Sequence, residues 1–272
     1  MRTNDTAATP AHIAAFFDVD NTIMRGASIY HLARGLFSRK ILSASDLTNF
    51  AVMQGRFLMA GTSERVADLG KITESALAFV AGRTTEDLQS LCEEIYDEIM
   101  ADKVWPGTVQ LAHDHVAAGH QVWLVSAAPI ELANIIASKL GLTGAVATES
   151  EIVDGVYTGK LKSIPMHGAS KVEALMNLAQ EHDIDLVASF AYSDSSNDIP
   201  LLTAVGNPTA VNPDTSLRQY AEKHNWPIHD FRRQRLIKTY AIPASATALA
   251  LLGAGAGMAV SASRRSRAEK SL

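Results

Sequence analysis

Two carboxylates and a hydroxyl, Asp18, Asp20 and Thr22, stand at i, i+2 and i+4 directly behind the apolar run Ile13-Ala14-Ala15-Phe16-Phe17. An unpaired carboxylate is costly to bury, so two at the end of a buried strand imply a cation or a shared proton beside them. The competing reading is a loop in which Asp20 or Asn21 merely caps the next helix. Two further apolar runs decide against it. The run over 121–125 ends in Ser126-Ala127-Ala128, and the run over 186–192 leads into Ser193-Asp194-Ser195-Ser196-Asn197-Asp198. Parallel strands of one sheet bring their carboxyl ends to a common edge, so residues distant in sequence meet there. Lys171, opening the helical pattern before the third run, can reach the same edge. A cation there would offset the charge of a bound phosphoryl group. Asp18, Asp194 and a backbone carbonyl form an all-oxygen set suited to magnesium. No Cys or His pair stands at zinc spacing. His113 and His115 lie two apart on a helical stretch, cannot share a face, and read as surface residues.

The elements that must position these residues alternate between strand and helix patterns. Helices are expected over 106–119, 130–140 and 170–180, each packed between apolar runs too short and β-rich to be helices. Asp154-Gly155 between alternating apolar residues predicts a tight hairpin over 151–158. About eighty residues after the first strand contain no convincing strand and read as helices over 29–37, 44–59, 63–80 and 85–100. Thr84 or Thr85 before Glu86 and Asp87 starts the last of these. A helical insertion at that point places a cap over the carboxyl end of the first strand, where a small substrate would sit. The expected architecture is α/β, a central parallel sheet flanked by helices with an all-helical cap. Its core takes residues 1–27 and 105–235, its cap 28–104, and residues 236–272 form a separate tail.

The composition supports this reading. The chain has 272 residues, 47% of them hydrophobic and 19% charged, enough to bury one large core and a subdomain. A net charge of −5 argues against a protein built to coat nucleic acid. The single cysteine, Cys92, cannot form an intramolecular disulfide, reads as core filler in a helix, and suits a reducing cytoplasm. The polar N-terminus lacks the apolar stretch of a signal peptide. The tail is different: residues 239–263 carry no charge and are flanked on both sides by Arg and Lys. Their length suffices to span a bilayer, but they are mostly alanine and glycine, with Gly253 and Gly257 in a G-x-x-x-G. Membrane association and a helix docked on the folded domain both remain open at this point.

The segments D-V-D-N-T-I at 18–23, S-A-A at 126–128, Lys171 and S-D-S-S-N-D at 193–198 resemble, in order, the four motifs of haloacid dehalogenase-type phosphatases. They are most similar to the phosphoserine phosphatase branch, whose cap follows the first motif. The resemblance covers about residues 12–235, and Trp105-Pro106-Gly107 and Ala210-Val211-Asn212-Pro213-Asp214 look like phrases of its actinobacterial members. It implies a magnesium-dependent phosphomonoesterase acting on a small phosphorylated metabolite. Asp18 would be the nucleophile and Asp20 the general acid and base. Asp18, the Asp20 carbonyl and Asp194 would hold the metal. Thr22, Ser126, Ala127, Lys171 and Asn197 would form the phosphate cradle, with Asn197 and Asp198 positioning Lys171 or metal-bound water. This chain departs from the pattern where substrate is chosen. Ala27 stands where phosphoserine phosphatases carry a glutamate for the substrate's amino group, and Arg56 and Arg65 are the candidate partners for its carboxylate. The second motif is S-A-A rather than S-G-G, and Ser193 replaces the glycine before the metal aspartate. Phosphoserine is therefore the first substrate expected, with histidinol phosphate or a lipid phosphate as alternatives and a non-catalytic regulatory protein as a third reading.

Overall fold

The computed structural model describes residues 12–43, 48, 80–162, 165–166 and 168–232. The expected helices over 44–59 and 63–80, together with Arg56 and Arg65, lie outside the described residues apart from single positions. So does the 239–263 stretch. The chain falls into two compact units, Met1–His229 and Asp230–Leu272.

The first unit is built on a six-stranded, wholly parallel sheet. Its strands are β1 (Ala14–Phe17), β2 (Gln121–Pro129), β3 (Gly144–Thr148), β6 (Phe190–Ser193), β7 (Asn207–Val211) and β8 (Ile228–His229), in the order β3-β2-β1-β6-β7-β8. β1 lies at the centre and every one of its residues is fully buried, which explains an unbroken apolar run in place of alternation. In register, Phe17 pairs with Leu124 on β2 and with Tyr192 on β6. β1 and β6 therefore end within one residue of each other, while β2 runs on past Leu124 through Ser126 to Pro129, so the polar residues after β1 and β6 lie at the edge that Ser126 also reaches.

Helices cover the sheet: α3 (Pro106–Ala117), α4 (Ile130–Lys139), α5 (Ala169–Glu181), α6 (Ile199–Thr203) and α7 (Thr215–Lys223). The predicted hairpin forms as β4 (Ser150–Val153) and β5 (Val156–Leu161), with Asp154 and Gly155 both at positive φ, as the tight turn requires. The described parts of the helical insertion are α1 (Ser28–Ser38) and α2 (Thr85–Ile95), the latter prolonged by a π-helical turn over Tyr96–Met100. Thr84 is the cap of α2 and its side chain accepts the Asp87 amide. α1 and α2 pack closely at Gly35, where a Cβ would stand 2.5 Å from Ile95 Cγ2, so any larger residue would force Ile95 to shift.

Three strands, β3, β7 and β8, were not expected from the sequence. Gly144-Ala145 and Asn207-Pro208 open two of them with residues poor in strand propensity, and β8 has only two residues. The third predicted strand is also shorter than its apolar run. Asp185 Oδ1 accepts the amides of Val187 and Ala188, bending 186–189 into a turn before β6 begins. His115 is corrected as well. It is half-buried against Phe17 and Phe190, and its Nε2 meets the Tyr192 hydroxyl at 2.7 Å. Cys92 is the buried filler expected, its thiol pushed up to about 12 by burial and the nearby Glu131.

Candidate active site

Asp18 follows β1, and its amide donates to the Tyr192 carbonyl at 2.9 Å, which continues the strand pairing one residue past β1. The loop behind it folds on itself. Asn21 sits at a φ of 59°, a left-handed conformation that asparagine tolerates, and its Oδ1 accepts the Gly26 amide at 3.0 Å. That turn brings Ser28 back to the site, where its amide donates to Asp20 Oδ1 at 2.8 Å. Asn212, at the end of β7, donates from its side-chain amide to the Asn21 carbonyl at 3.2 Å and ties the loop to the far strand.

Lys171 lies in the first turn of α5, where the helix dipole disfavours a cation. Two carboxylates account for it. Its ammonium donates to Asp18 Oδ1 at 2.7 Å and to Asp198 Oδ2 at 2.9 Å, and all three residues are buried. Burial alone would pull the ammonium down, but Asp18 and Asp198 reverse this and hold it charged well above the ordinary lysine range. Asp18 is pushed up to about 7, by burial first, with Lys171 opposing and Asp198 and Asp20 adding to the rise. Asp20 is raised by burial, partly offset by Ser28.

Asp194 follows β6 and is pushed up to about 8, by burial and then by the charges of Asp18, Asp198, Asp20 and Asp214. One ammonium thus faces a group of carboxylates that repel one another. The unbalanced charge and the all-oxygen donors fit a hard divalent cation. Among the described residues no group of three or more His, Cys, Asp or Glu side chains is arranged to hold a metal ion.

The other expected residues occupy distinct places. Thr22 is fully buried with Oγ1 3.5 Å from Asp194 Oδ1, so it faces the acidic cluster. Ser126 is buried and its Oγ accepts the Ala128 amide at 3.1 Å, leaving its own proton to donate elsewhere. Ala127 is exposed, and its carbonyl accepts from Thr148 Oγ1 at 2.9 Å. Asn197 is exposed, with its main-chain amide on Ser195 Oγ. Asp198 is drawn fully into the site. Ala27 caps α1 and makes no side-chain hydrogen bond there.

Two supporting residues were not foreseen. Thr148, at the end of β3, bridges the Ala127 carbonyl and the Met166 amide, linking the Ser126 turn to the segment before Lys171. Asp214 accepts the amides of Ser196 and Leu217, while its own amide donates to the Asp194 carbonyl at 2.8 Å. The sequence marked Asp214 only as the end of the family-like phrase Ala210–Asp214, with no role assigned; Thr148 gave no signal, because its strand was not legible.

These strands, this loop and this lysine define a class. The haloacid dehalogenase-like hydrolase profile matches residues 15–203, and the chain belongs to that family. It is 46% identical over 252 residues, 93% of this chain and 80% of the relative, to phosphoserine phosphatase SerB1 of Mycobacterium tuberculosis. Among solved structures, a Bordetella pertussis protein of unknown function superposes with a TM-score of 0.73 at 27% identity, covering 81% of this chain and 99% of that one. A phosphoserine phosphatase solved as a phospho-aspartyl intermediate analogue shares the fold, with a TM-score of 0.56 at 20% identity over 85% of this chain and 99% of that one. The chain is thus a phosphoserine phosphatase-like hydrolase with the α/β core and helical insertion of that group.

Proposed function

We propose that this chain hydrolyses a small phosphate monoester through a phosphorylated Asp18, with phosphoserine the first substrate to test. The observation that carries the proposal is the Lys171 ammonium held between Asp18 Oδ1 and Asp198 Oδ2 in a buried site. Burial alone calls for a partner to Asp18, and the same ammonium, shared with Asp198, is placed to meet a phosphoryl dianion that approaches Asp18. In the first step Asp18 forms a bond to phosphorus while the bond to the ester oxygen breaks, and Asp20 gives that oxygen its proton. In the second, Asp20 takes a proton from the water that displaces Asp18, releasing phosphate. Burial raises Asp20 above the ordinary carboxylate range, which suits a group that must give and take a proton. Lys171, with Ser126 and the main chain around Ala127, stabilises the phosphoryl oxygens as charge develops. Magnesium, bound by Asp18, the Asp20 carbonyl and Asp194, would neutralise nucleophile and phosphate so that the two anions can approach. Residues 28–104 serve as the cap and 1–27 with 105–235 as the core in this reading.

A second reading keeps the chemistry and changes the substrate to histidinol phosphate or a lipid phosphate, and Ala27 is the residue that favours it. Among the described residues no helix is long and apolar enough to cross a membrane. Whether residues 239–263 reach a membrane is tested by deleting 239–272 and asking whether the protein leaves the membrane fraction with its activity on soluble esters intact. The deciding experiment for substrate is a panel of phosphoserine, histidinol phosphate and lipid phosphates with magnesium, compared by kcat/KM. No turnover of any ester by folded, metal-loaded protein would defeat the phosphatase reading.

A further inference from the structure

Ser193 ends β6 with its hydroxyl fully buried beside the site. Its Oγ accepts the Ser195 amide at 3.2 Å and donates to Asp198 Oδ2 at 2.8 Å. The Asp198 oxygen it reaches is the one that accepts from Lys171. We propose that Ser193 is a positioning residue for phosphoryl transfer, fixing the Asp198 carboxylate that aims the Lys171 ammonium at Asp18. The proposal rests on the phosphatase reading above.

The direction of the hydroxyl is not arbitrary. The Ser195 amide can only donate, so it takes a lone pair of Oγ, and the serine proton goes to the carboxylate. The position of the hydroxyl is equally constrained, because Ser193 pairs with Ala210 on β7 while the neighbouring Tyr192 carbonyl accepts the Asp18 amide. Strand β6 therefore carries Ser193 at a fixed distance from the nucleophile. Asp198 lies off the strand, in a short 3-10 turn over Ser196–Asp198 where its amide donates to the Ser195 carbonyl at 3.0 Å. The Lys171 ammonium is a point charge on a flexible stem, and the two carboxylates it donates to set where it lies. When a phosphoryl group arrives it competes with Asp18 for the ammonium's N–H groups. A pinned Asp198 keeps the ammonium within reach of both. The glycine that the family pattern places here has no hydroxyl to do this.

The test compares Ser193→Ala and Ser193→Thr in the parent chain and in an Asp198→Asn background, with magnesium and p-nitrophenyl phosphate, after thermal melts confirm folding. Ser193→Ala is expected to lower kcat about ten- to a hundred-fold, the scale of one hydrogen bond to a charged group, with KM changed less than about three-fold. Ser193→Thr, which keeps the hydroxyl, recovers most of that loss. With Asp198→Asn the effect of Ser193→Ala shrinks to about two-fold or less, because the group it acts through is already impaired. A loss of equal size in both backgrounds, or a fall confined to KM, overturns the proposal. So does unaltered kcat in Ser193→Ala beside an active parent, which leaves the phosphatase reading standing. An inactive parent overturns both. Should Ser193→Ala fail to fold, Ser193→Cys carries the same expectations, since it keeps the size and loses the strong donor.

Discussion

Two buried polar clusters meet on β6, one residue apart. Tyr192 joins a neutral one: its ring stacks on Phe17 at 4.3 Å, its hydroxyl meets His115 Nε2, and His115 Nδ1 meets His120 Nδ1 at 2.9 Å. Ser193 joins a charged one with Asp198, Lys171 and Asp18. The neutral cluster handles burial by giving up charge. His115 is lowered to about 4 by burial and then by His120, so the imidazole is uncharged through the physiological range. The charged cluster keeps its ions and pairs them, and it is still left with more carboxylates than ammonium. Burial of polar groups is therefore common to both clusters and marks neither as functional. What sets the site apart, among the described residues, is an excess of carboxylates over ammonium, which bound protons or a cation would balance.

Substitutions should widen that contrast at the nucleophile and abolish it at the histidine. Asp18→Asn replaces the proposed nucleophile with an amide of the same size, and should cut kcat by more than about 10³-fold. Asp20→Asn should also turn over slowly. It should nevertheless accumulate phosphorylated Asp18 from a substrate whose leaving group needs no proton, as seen by mass spectrometry of the quenched protein. Near-normal turnover by metal-loaded Asp18→Asn would erase the distinction between the two clusters.

The metal gives a prediction of opposite sign to ordinary loss of function. Asp194 is raised from 3.8 to about 8 in the folded chain. A group raised on folding contributes stability that is fully present below the unfolded pKa and lost as pH rises towards the folded one. Metal-free protein should therefore lose stability between about pH 4 and pH 8 on this account. Asp194→Asn should melt higher than the parent at pH 8 without metal, yet gain much less from magnesium. In the parent, magnesium should raise the melting temperature more at pH 8.5 than at pH 6, since it binds the ionised form. Equal gains at both pH values would mean that the acidic cluster is not what binds the metal.

Ala27→Glu should act more modestly, raising phosphoserine kcat/KM relative to p-nitrophenyl phosphate about ten-fold, on the scale of a charge-assisted hydrogen bond to the substrate ammonium. No change, together with good turnover of histidinol phosphate, would favour the second substrate. The smallest effect is expected at the neutral cluster. His115→Phe should leave kcat within about two-fold and cost about 1 kcal/mol of stability, for the hydroxyl partner lost by Tyr192. Its parent histidine is depressed on folding, so its contribution is present above about pH 6.5 and lost as pH falls towards 4. A large fall in kcat here would show that the two clusters are coupled through β6.

Much of the site was written in the chain because its signals are local. Asp18 and Asp20 behind an apolar run, Ser126 behind another and Asp194 behind a third need only the rule that parallel strands end at one edge. The hairpin at Asp154-Gly155 and the cap at Thr84 are equally local, since they depend on the conformational preferences of two or three residues. What composition and spacing could not convey was partnership across the chain. Thr148 and Asp214 look like ordinary strand-end and helix-cap residues until the fold sets Thr148 between Ala127 and Met166, and Asp214 against Asp194 and Ser196. His115 reads as a surface residue until β1 and β6 press aromatic rings against it. Strands β3, β7 and β8 form from residues of weak propensity because neighbouring strands supply the hydrogen bonds and the core the burial. The sequence by itself determined which polar side chains stand at the strand ends and the order in which the strands deliver them. Only the tertiary structure decided which oxygen of Asp198 Ser193 and Lys171 share, because hydrogen-bond direction and burial are set by groups that lie far apart along the chain.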